Sequence, residues 1–355
     1  MSEKIKMPLV GALTAVVSIG LVLLGNPGNM GFCIACFLRD TAGALGLHGA
    51  VAVQYARPEA LGIILGALII SLIKKEFSPK GGSAPVTRFI MGACVMIGAL
   101  VFLGCPLRMV LRMAGGDLNA LIGLVGFVGG ILVGVFFLKR GYSLKRTYTV
   151  SKTDGFALPI ISVLILVALI FIPGVLLFSE SGPGAARAPL VVALAAGLIM
   201  GGVGFISRLC FAGGVRDSFM LKSFTMVSGV IALLVVGFIG NIIFGEFNLG
   251  FENQPVAHTE WLWSILGLGL VGFGSVLLGG CPFRQMVLAG SGNSDSTITV
   301  FGMVFGAAIA HNFSLASSAA GTTTNGRVGF GVAVVVVLGI AVYNTFFGKG
   351  KKTCE

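Results

Sequence analysis

Charged residues are scarce in this chain. Asp, Glu, Lys and Arg together make up 10% of the 355 residues, whereas hydrophobic residues make up 56%. The mean hydropathy is +1.01. A soluble protein needs far more charge to cover its surface. The composition therefore excludes an ordinary soluble domain and predicts an all-α polytopic membrane protein.

Histidine and acidic residues are also few. The three histidines are separated in sequence from the cysteine motifs, and a closed zinc site needs four ligands, so we expect no metal and no cofactor. No Gly-x4-Gly-Lys-Ser/Thr loop occurs, which argues against direct use of ATP. The net charge of +11 is explained by membrane orientation and anionic lipid, so we expect no nucleic-acid partner.

Hydrophobic runs long enough to cross a bilayer recur along the whole chain. A helix needs roughly 20 apolar residues to cross about 30 Å of hydrocarbon. By this measure the sequence predicts ten spans, at about 7–25, 59–73, 89–104, 118–138, 156–178, 188–206, 223–245, 261–279, 297–316 and 328–347. No gap between them accommodates a soluble domain, so a single membrane domain is expected.

Lys and Arg are concentrated in four places, which indicates how the spans are oriented. Loops on the cytoplasmic side carry an excess of these residues. With ten spans and both termini in the cytoplasm, all four clusters lie on that side: Lys4 and Lys6; Lys74, Lys75, Lys80 and Arg88; Lys139, Arg140, Lys145, Arg146 and Lys152; Lys349, Lys351 and Lys352. We predict a multi-pass protein of the cell inner membrane. The mirror topology stays open if the short spans are re-entrant.

Two patterns occur twice, half a chain apart. Gly104-Cys105-Pro106-Leu107-Arg108 returns as Gly280-Cys281-Pro282-Phe283-Arg284. Cys36-Phe37, followed by Arg39-Asp40, returns as Cys210-Phe211, followed by Arg216-Asp217. The copies are 174 to 177 positions apart, which indicates an internal duplication.

The duplication predicts how the membrane domain is organised. We expect a first repeat over residues 1–155, a connecting span over 156–180 and a second repeat over 181–355. Because the copies are five crossings apart, the second repeat should be inverted. Inverted repeats with interrupted or re-entrant short helices are the plan of many secondary transporters, which bind substrate where broken helix ends meet.

The Gly-Cys-Pro-x-Arg motif suggests an anion site. Proline suits the first position of a helix, so Cys105 and Cys281 are expected to cap short helices. Free amides and the helix dipole favour an anion at such an end. Arg108 and Arg284 oppose the dipole in the first turn, and a bound anion would offset that conflict. Arg39 and Arg216 are further candidates for anion support. The alternative is that these arginines only reach the lipid headgroups.

The remaining cysteines fall into two groups. Cys33-Ile34-Ala35-Cys36 has the spacing of a redox motif or of half a metal site, although the pair is not duplicated. Cys94 lies in mid-span, where a small buried apolar residue is expected, and Cys354 is expected to be a free thiol near the chain end.

The repeated Gly-Cys-Pro-x-Arg segments, the Gly-Phe-Cys run and the Arg-Leu-Cys-Phe-Ala-Gly-Gly run resemble the YeeE/YedE family, whose members take up thiosulfate and related sulfur compounds. The resemblance covers most of the chain. The segment from Gly28 to Asp40 and the length look most like the YedE branch of selenium transporters.

The resemblance implies a helical bundle in which thiols line a narrow path for a sulfur or selenium anion. The family's essential cysteines correspond to Cys105, Cys281 and either Cys33 or Cys36, and Cys210 lies at the matching place in the second half. A cytoplasmic sulfur- or selenium-carrier partner is implied by the resemblance alone. We expect a transporter and not an enzyme. The alternative from the residues themselves is a transmembrane thiol–disulfide electron relay, pairing Cys33 with Cys36 and Cys105 with Cys281.

Overall fold

The computed structural model describes residues 3–347 and is almost entirely helical. Ten helices have the length of membrane spans: α1 (Glu3–Leu23), α3 (Pro58–Ile73), α4 (Pro85–Phe102), α6 (Leu118–Lys139), α7 (Lys152–Phe171), α8 (Leu190–Ser207), α10 (Thr225–Ile243), α11 (Trp261–Leu278), α13 (Ser294–Asn312) and α14 (Thr324–Val342). Four short helices lie between them: α2 (Ile34–Ala44), α5 (Pro106–Ala114), α9 (Phe211–Met220) and α12 (Pro282–Gly290).

The predicted fold class, an all-α polytopic membrane protein, is confirmed. Within residues 3–347, nine helical segments are long and apolar enough to cross a membrane. The remaining predicted span, 297–316, falls on α13, which is helical but begins with the polar residues Ser294, Asp295 and Ser296. Several spans start earlier than predicted. For example, the span predicted from residue 89 begins at Pro85, because proline is favoured in the first helical turn.

The long helices pack in pairs that repeat between the two halves. When α1–α6 are equated with α8–α13, the contact of α1 with α10 corresponds to that of α8 with α3. Likewise, α6 packs on α11 as α13 packs on α4, and α2 packs on α13 as α9 packs on α6. Helices α7 and α14 do not follow this symmetry, since α7 packs on α3, α12 and α13, and α14 packs on α4 and α11. This pattern agrees with a duplication in which α7 stands apart as a connecting helix.

Helices α4 and α11 pack closely against each other through glycine. A Cβ atom added to Gly98 would lie 2.9 Å from the Gly267 carbonyl oxygen, and one added to Gly267 would lie 2.8 Å from the Gly98 oxygen. Close backbone approach of this kind is how helices associate in lipid, where the solvent gives no hydrophobic drive. The two halves therefore meet backbone to backbone.

Contacts between loops agree with a two-sided arrangement. Strands β1 (Lys80–Gly81) and β2 (Tyr148–Thr149) pair antiparallel and join two of the basic loops predicted to be cytoplasmic. On the predicted outer side, Asp117 is bridged to Gly250. The side chain of Lys4, the residues Lys349, Lys351 and Lys352, and Cys354 lie outside the described part of the chain.

A surface contact ties the loop before α11 to the start of α14. The Glu260 carboxylate accepts hydrogen bonds from the backbone and hydroxyl of Thr322, at 3.0 and 2.5 Å, and pairs with Arg327 at 3.1 Å. Partial burial alone would raise the pKa of Glu260. The hydrogen bonds and the guanidinium charge outweigh burial, so the pKa is lowered overall.

Candidate functional site

Each of the four short helices begins directly after a cysteine. Cys33 caps α2, Cys105 caps α5, Cys210 caps α9 and Cys281 caps α12. In α5 and α12 the first helical residue is proline, as the Gly-Cys-Pro motif predicts. Helix N-termini present unpaired backbone amides and a positive dipole end. All four thiols are therefore placed where partial positive charge accumulates.

The structure corrects the predicted match of Cys36 with Cys210. The Cys33 sulfur accepts from the backbone N–H of Cys36 at 3.3 Å, and the Cys210 sulfur accepts from that of Gly213 at 3.2 Å. Cys33 is thus the counterpart of Cys210, and Cys36 occupies the place of Gly213. The separation agrees, since Cys210 follows Cys33 by 177 positions, as Arg216 follows Arg39. The duplicated Cys-Phe dipeptide is a coincidence of local sequence.

Three thiols form a first cluster, which we call the first thiol cluster: Cys33, Cys36 and Cys105. The sulfurs of Cys33 and Cys36 lie 2.8 Å apart. The backbone N–H of Ile34 donates to the Cys105 sulfur at 3.3 Å, which joins α2 to α5. All three residues are buried and carry free thiols.

Two thiols form the second thiol cluster, Cys210 and Cys281. The backbone N–H of Cys281 donates to the Cys210 sulfur at 3.4 Å, which joins α9 to α12. Both thiols are buried and free. Each cluster thus contains the capping cysteines of its own half, and Cys105 and Cys281 do not form the disulfide considered for an electron relay.

Arg108 is a fully buried cation beside the first thiol cluster. Its guanidinium donates to backbone carbonyls of Asn29 (3.2 Å), Pro255 (3.1 Å) and Val256 (3.2 Å), and it also bonds the Leu103 carbonyl. One nitrogen lies 3.6 Å from the Cys36 sulfur. Within residues 3–347, no carboxylate forms an ion pair with it. The site therefore has an uncompensated positive charge.

Arg284 is the counterpart of Arg108 but is less enclosed. It is partly exposed, and one of its nitrogens lies 3.4 Å from the Gly204 carbonyl oxygen. A polar cavity of about 120 Å³ opens near the last turn of α9, where Ser207, Asp217 and Thr225 are among the lining residues.

Arg39 and Arg216, predicted to support the anion, are each paired with the next residue. Arg39 lies 2.7 Å from Asp40, and both are buried. Arg216 lies 2.8 Å from Asp217, and both are partly exposed. Because a neighbouring carboxylate compensates each charge, neither arginine carries an uncompensated charge like that of Arg108.

Several buried charges around the first cluster were not predicted as site residues. Arg57 is fully buried and shares Asp40 with Arg39, at 2.8 Å. Arg112 is equally buried, pairs with Asp117 at 2.6 Å and stacks over the Phe102 ring at 4.2 Å. Arg57 directly precedes Pro58, the first residue of a predicted span. A cation at that position could have been recognised from the sequence as a candidate buried charge.

The histidines take structural positions. His48 and His311 lie side by side, with ring centroids 4.7 Å apart, and the Nε2 of His48 lies 3.0 Å from the Arg39 carbonyl oxygen. Burial lowers the pKa of His48, which favours the neutral ring. His258 bonds the Val101 carbonyl at 2.8 Å. In the described part of the chain, no group of three or more His, Cys, Asp or Glu side chains is arranged to hold a metal ion.

An apolar cavity of about 200 Å³ lies between α5 and α9, the helices capped by Cys105 and Cys210. Its lining includes Met109, Met113 and Phe211. We expect a cavity with this apolar lining to hold no ordered water, because a buried water molecule needs polar hydrogen-bond partners. It forms a dry layer between one helix of the first cluster and one helix of the second.

Comparisons with known proteins agree with a role in transport. Residues 206–347 match a family model described as sulphur transport. The thiosulfate transporter TsuA of Escherichia coli (strain K12) is 31% identical over 109 residues. That alignment covers 30% of this chain and 30% of the relative, so the chain spans less than a third of the length of the curated relative that it matches.

Proposed function

We propose that the chain belongs to the YeeE/YedE family and carries a small sulfur- or selenium-containing anion across the membrane, a proposal that the two partial matches support. The observation that carries the proposal is Arg108. It is a fully buried cation whose described contacts are neutral carbonyls and one thiol. A charge in this setting is costly unless a counter-ion compensates it. An anion at the first thiol cluster would supply that compensation.

The thiols then act as weak donors along the path. The first cluster offers Cys33, Cys36 and Cys105, and the second offers Cys210 and Cys281. An S–H group is a weak hydrogen-bond donor, so no single contact holds the anion tightly. Conduction requires binding that is strong enough to admit an ion and weak enough to release it. Two clusters of weak donors at helix N-termini satisfy both conditions.

The chemistry of the donors suggests which anions pass. Terminal sulfur and selenium atoms are soft and polarizable, as thiols are, whereas sulfate presents only hard oxygens. We propose thiosulfate, or a selenium anion with an exposed selenium atom, as substrate, and exclusion of sulfate. The dry layer between α5 and α9 adds to this selectivity, because a strongly hydrated anion loses more when it gives up water.

The predicted organisation completes the proposal. We propose that residues 1–155 and 181–355 are inverted repeats joined by the span at 156–180, with both termini in the cytoplasm and the chain in the inner membrane. The first thiol cluster then faces outward and the second inward. A soluble sulfur- or selenium-carrier protein would receive the anion on the cytoplasmic side.

The electron relay remains a second candidate because of one distance. The Cys33 and Cys36 sulfurs are 2.8 Å apart, which suits conversion to a disulfide. A relay also needs thiol–disulfide exchange between the two clusters. Cys105 belongs to the first cluster and Cys281 to the second, so exchange would have to occur between cysteines of different clusters. A nearby cation can stabilise a thiolate, but disulfide exchange does not require a buried arginine in each half, so we favour transport of an anion.

The test is uptake of radiolabelled thiosulfate and selenite into vesicles that contain the wild-type chain or Cys281→Ala. We expect the variant to lose uptake of the preferred anion. Cys94→Ala is the matched control, because Cys94 is a buried free thiol on α4 outside both clusters. It should transport like the wild type. If the wild type takes up neither anion, while an impermeant thiol probe reports redox-dependent labelling, the relay replaces the transporter.

A further inference from the structure

Glu59 is a buried carboxyl group without an ionic partner. It lies in the first turn of α3 and is 1% exposed. Oε1 accepts a hydrogen bond from the Asn26 amide at 2.8 Å, and Oε2 has no hydrogen-bond partner among the described residues. No Lys, Arg or His in residues 3–347 forms an ion pair with it. Such a group in a membrane protein calls for a functional explanation.

Arg57, the cation at the same end of α3, forms its hydrogen bonds with groups other than Glu59. Arg57 donates to Asp40 at 2.8 Å and to the carbonyls of Pro183 and Ala186 at 2.6 and 3.1 Å. Its remaining contact in this direction is with the Asn26 amide oxygen, at 3.5 Å. The guanidinium thus serves the aspartate and the loop before α8, and Glu59 meets only a neutral amide. A lone carboxylate there would be an unpaired buried charge, which a bound proton removes.

Asn26 connects this carboxyl to the first thiol cluster. Its Nδ2 group, which bonds Glu59, also lies 3.4 Å from the Gly31 carbonyl oxygen, two residues before Cys33. The other side of the amide accepts from the Ala188 backbone at 2.9 Å. A change of charge on Glu59 therefore acts on the loop that leads into the Cys33 cap.

The buried carboxyl group of Glu59 has no counterpart at the matching helix position of the second half. Counted from the first residue of each helix, the position of Glu59 in α3 is occupied by Met226 in α10. The capping thiols, in contrast, are present in both halves. Glu59 is thus an addition to the duplicated path and not one of its repeated parts.

We propose that Glu59 binds the proton that is transported together with the anion, an inference that rests on the proposed function. An anion at the first thiol cluster places negative charge near the carboxyl group and favours its protonated form. By linkage, protonation of Glu59 then favours anion binding by the same factor. Glu59 takes the proton from the outer solution and releases it to the cytoplasmic side as the anion leaves, so the net charge moved in each cycle is reduced by one and the cost of crossing the dry layer is lowered.

Other titratable and charged groups face this region and define its background charge. On α2, the loop before α3, the start of α3 and the loop before α8, they are Arg39, Asp40, Tyr55, Arg57 and Arg187. Helix α8 covers Glu59 through Gly197 and contains no titratable residue. Helix α12 meets α3 further along, at Ile64. In α7 the titratable residues lie in the first turn, beside β2.

The experiment uses the full chain in proteoliposomes, with the membrane potential clamped at zero and radiolabelled thiosulfate as the probe. With one proton per anion, an outside-acid gradient of one pH unit should raise wild-type accumulation about tenfold. Glu59→Gln should exchange internal for external thiosulfate but show no response to the gradient. Glu180→Gln is the matched control, since Glu180 is exposed in the loop before α8. It should respond as the wild type does.

Each other outcome overturns the inference. Wild-type accumulation that ignores the pH gradient, or follows a sodium gradient, rejects proton coupling while leaving anion transport intact. A full response of Glu59→Gln to the pH gradient rejects Glu59 as the group that binds the transported proton. Absence of any thiosulfate uptake or exchange in the wild type rejects the proposed function itself. If the glutamine variant does not fold, Glu59→Asp decides: it should keep the gradient response, at a shifted pH for half-maximal uptake, and an unshifted pH rejects Glu59.

Discussion

Replacing Arg108 by glutamine tests the anion site most directly. The side chain is fully buried beside the first thiol cluster, and its positive charge has no carboxylate partner in the described chain. A hydrogen bond to a charged group contributes about 1.5–3 kcal/mol. Because about 1.4 kcal/mol corresponds to a factor of ten, the variant should bind the anion roughly 10- to 150-fold more weakly.

The measurement is the concentration dependence of thiosulfate uptake at fixed protein density. Loss of the guanidinium also leaves buried carbonyls of Asn29, Pro255 and Val256 without a donor, which lowers the free energy of unfolding. Thermal unfolding in detergent must therefore be recorded in parallel. Arg108→Lys separates the two effects. It keeps the charge and loses the fork of donors, so its KM should lie between those of the wild type and the glutamine variant.

The matched control is Arg327→Gln, which removes an exposed cation that is 49% accessible and distant in sequence from the thiol helices. It should leave the KM unchanged. A folded Arg108→Gln protein with a wild-type KM would refute the reasoning, because the uncompensated charge would then have no part in binding. A loss of uptake explained entirely by a smaller amount of folded protein, with normal uptake per folded molecule, would refute it equally.

Three further predictions follow from the geometry of individual residues. Cys36→Ala should reduce uptake less than Cys33→Ala, because the structure equates Cys33 with the second-half cap and places a glycine at the position of Cys36; equal losses would contradict that correspondence. Gly66→Ala should cost about 1–3 kcal/mol of stability by overpacking α3 against α8, whereas Gly20→Ala, with nothing within 4 Å, should be neutral or slightly stabilising in thermal unfolding. Glu260→Gln should lose about 0.5–1 kcal/mol near neutral pH. Since the folded-state pKa of Glu260 is lowered, the wild-type advantage is present above the unfolded-state value of about 4.3 and should vanish as pH falls below it; a constant difference would refute the ion pair.

Local sequence rules predicted the parts of the molecule that depend on neighbouring residues. The Gly-Cys-Pro motif predicted where α5 and α12 begin, because proline at the first helical position leaves no amide unpaired. Apolar runs predicted the long helices, because a run of roughly 20 apolar residues is long enough to cross the bilayer. α13 was harder to classify, since its polar first turn is buried inside the protein and needs no apolar surface.

Long-range contacts were beyond the same rules. The Glu59–Asn26 hydrogen bond joins residues 33 positions apart, and the Arg108–Pro255 contact joins residues 147 positions apart. No periodicity or motif in either segment indicates its partner. The match of Cys36 with Cys210 was wrong for a related reason, because a shared dipeptide outweighed the constant spacing that relates Cys33 to Cys210.

The glycine crossing of α4 and α11 restricts how the protein can move. Gly98 and Gly267 bring the two backbones together, and each leaves no room for a side chain against the other. Rocking one half against the other would separate these backbones and leave a groove that no side chain fills. A rocking motion of this kind is therefore costly at the crossing of α4 and α11. Tilting of the short cysteine-capped helices, by contrast, would leave this crossing intact, so the moving mass would be small and the outline seen by the lipid would stay constant.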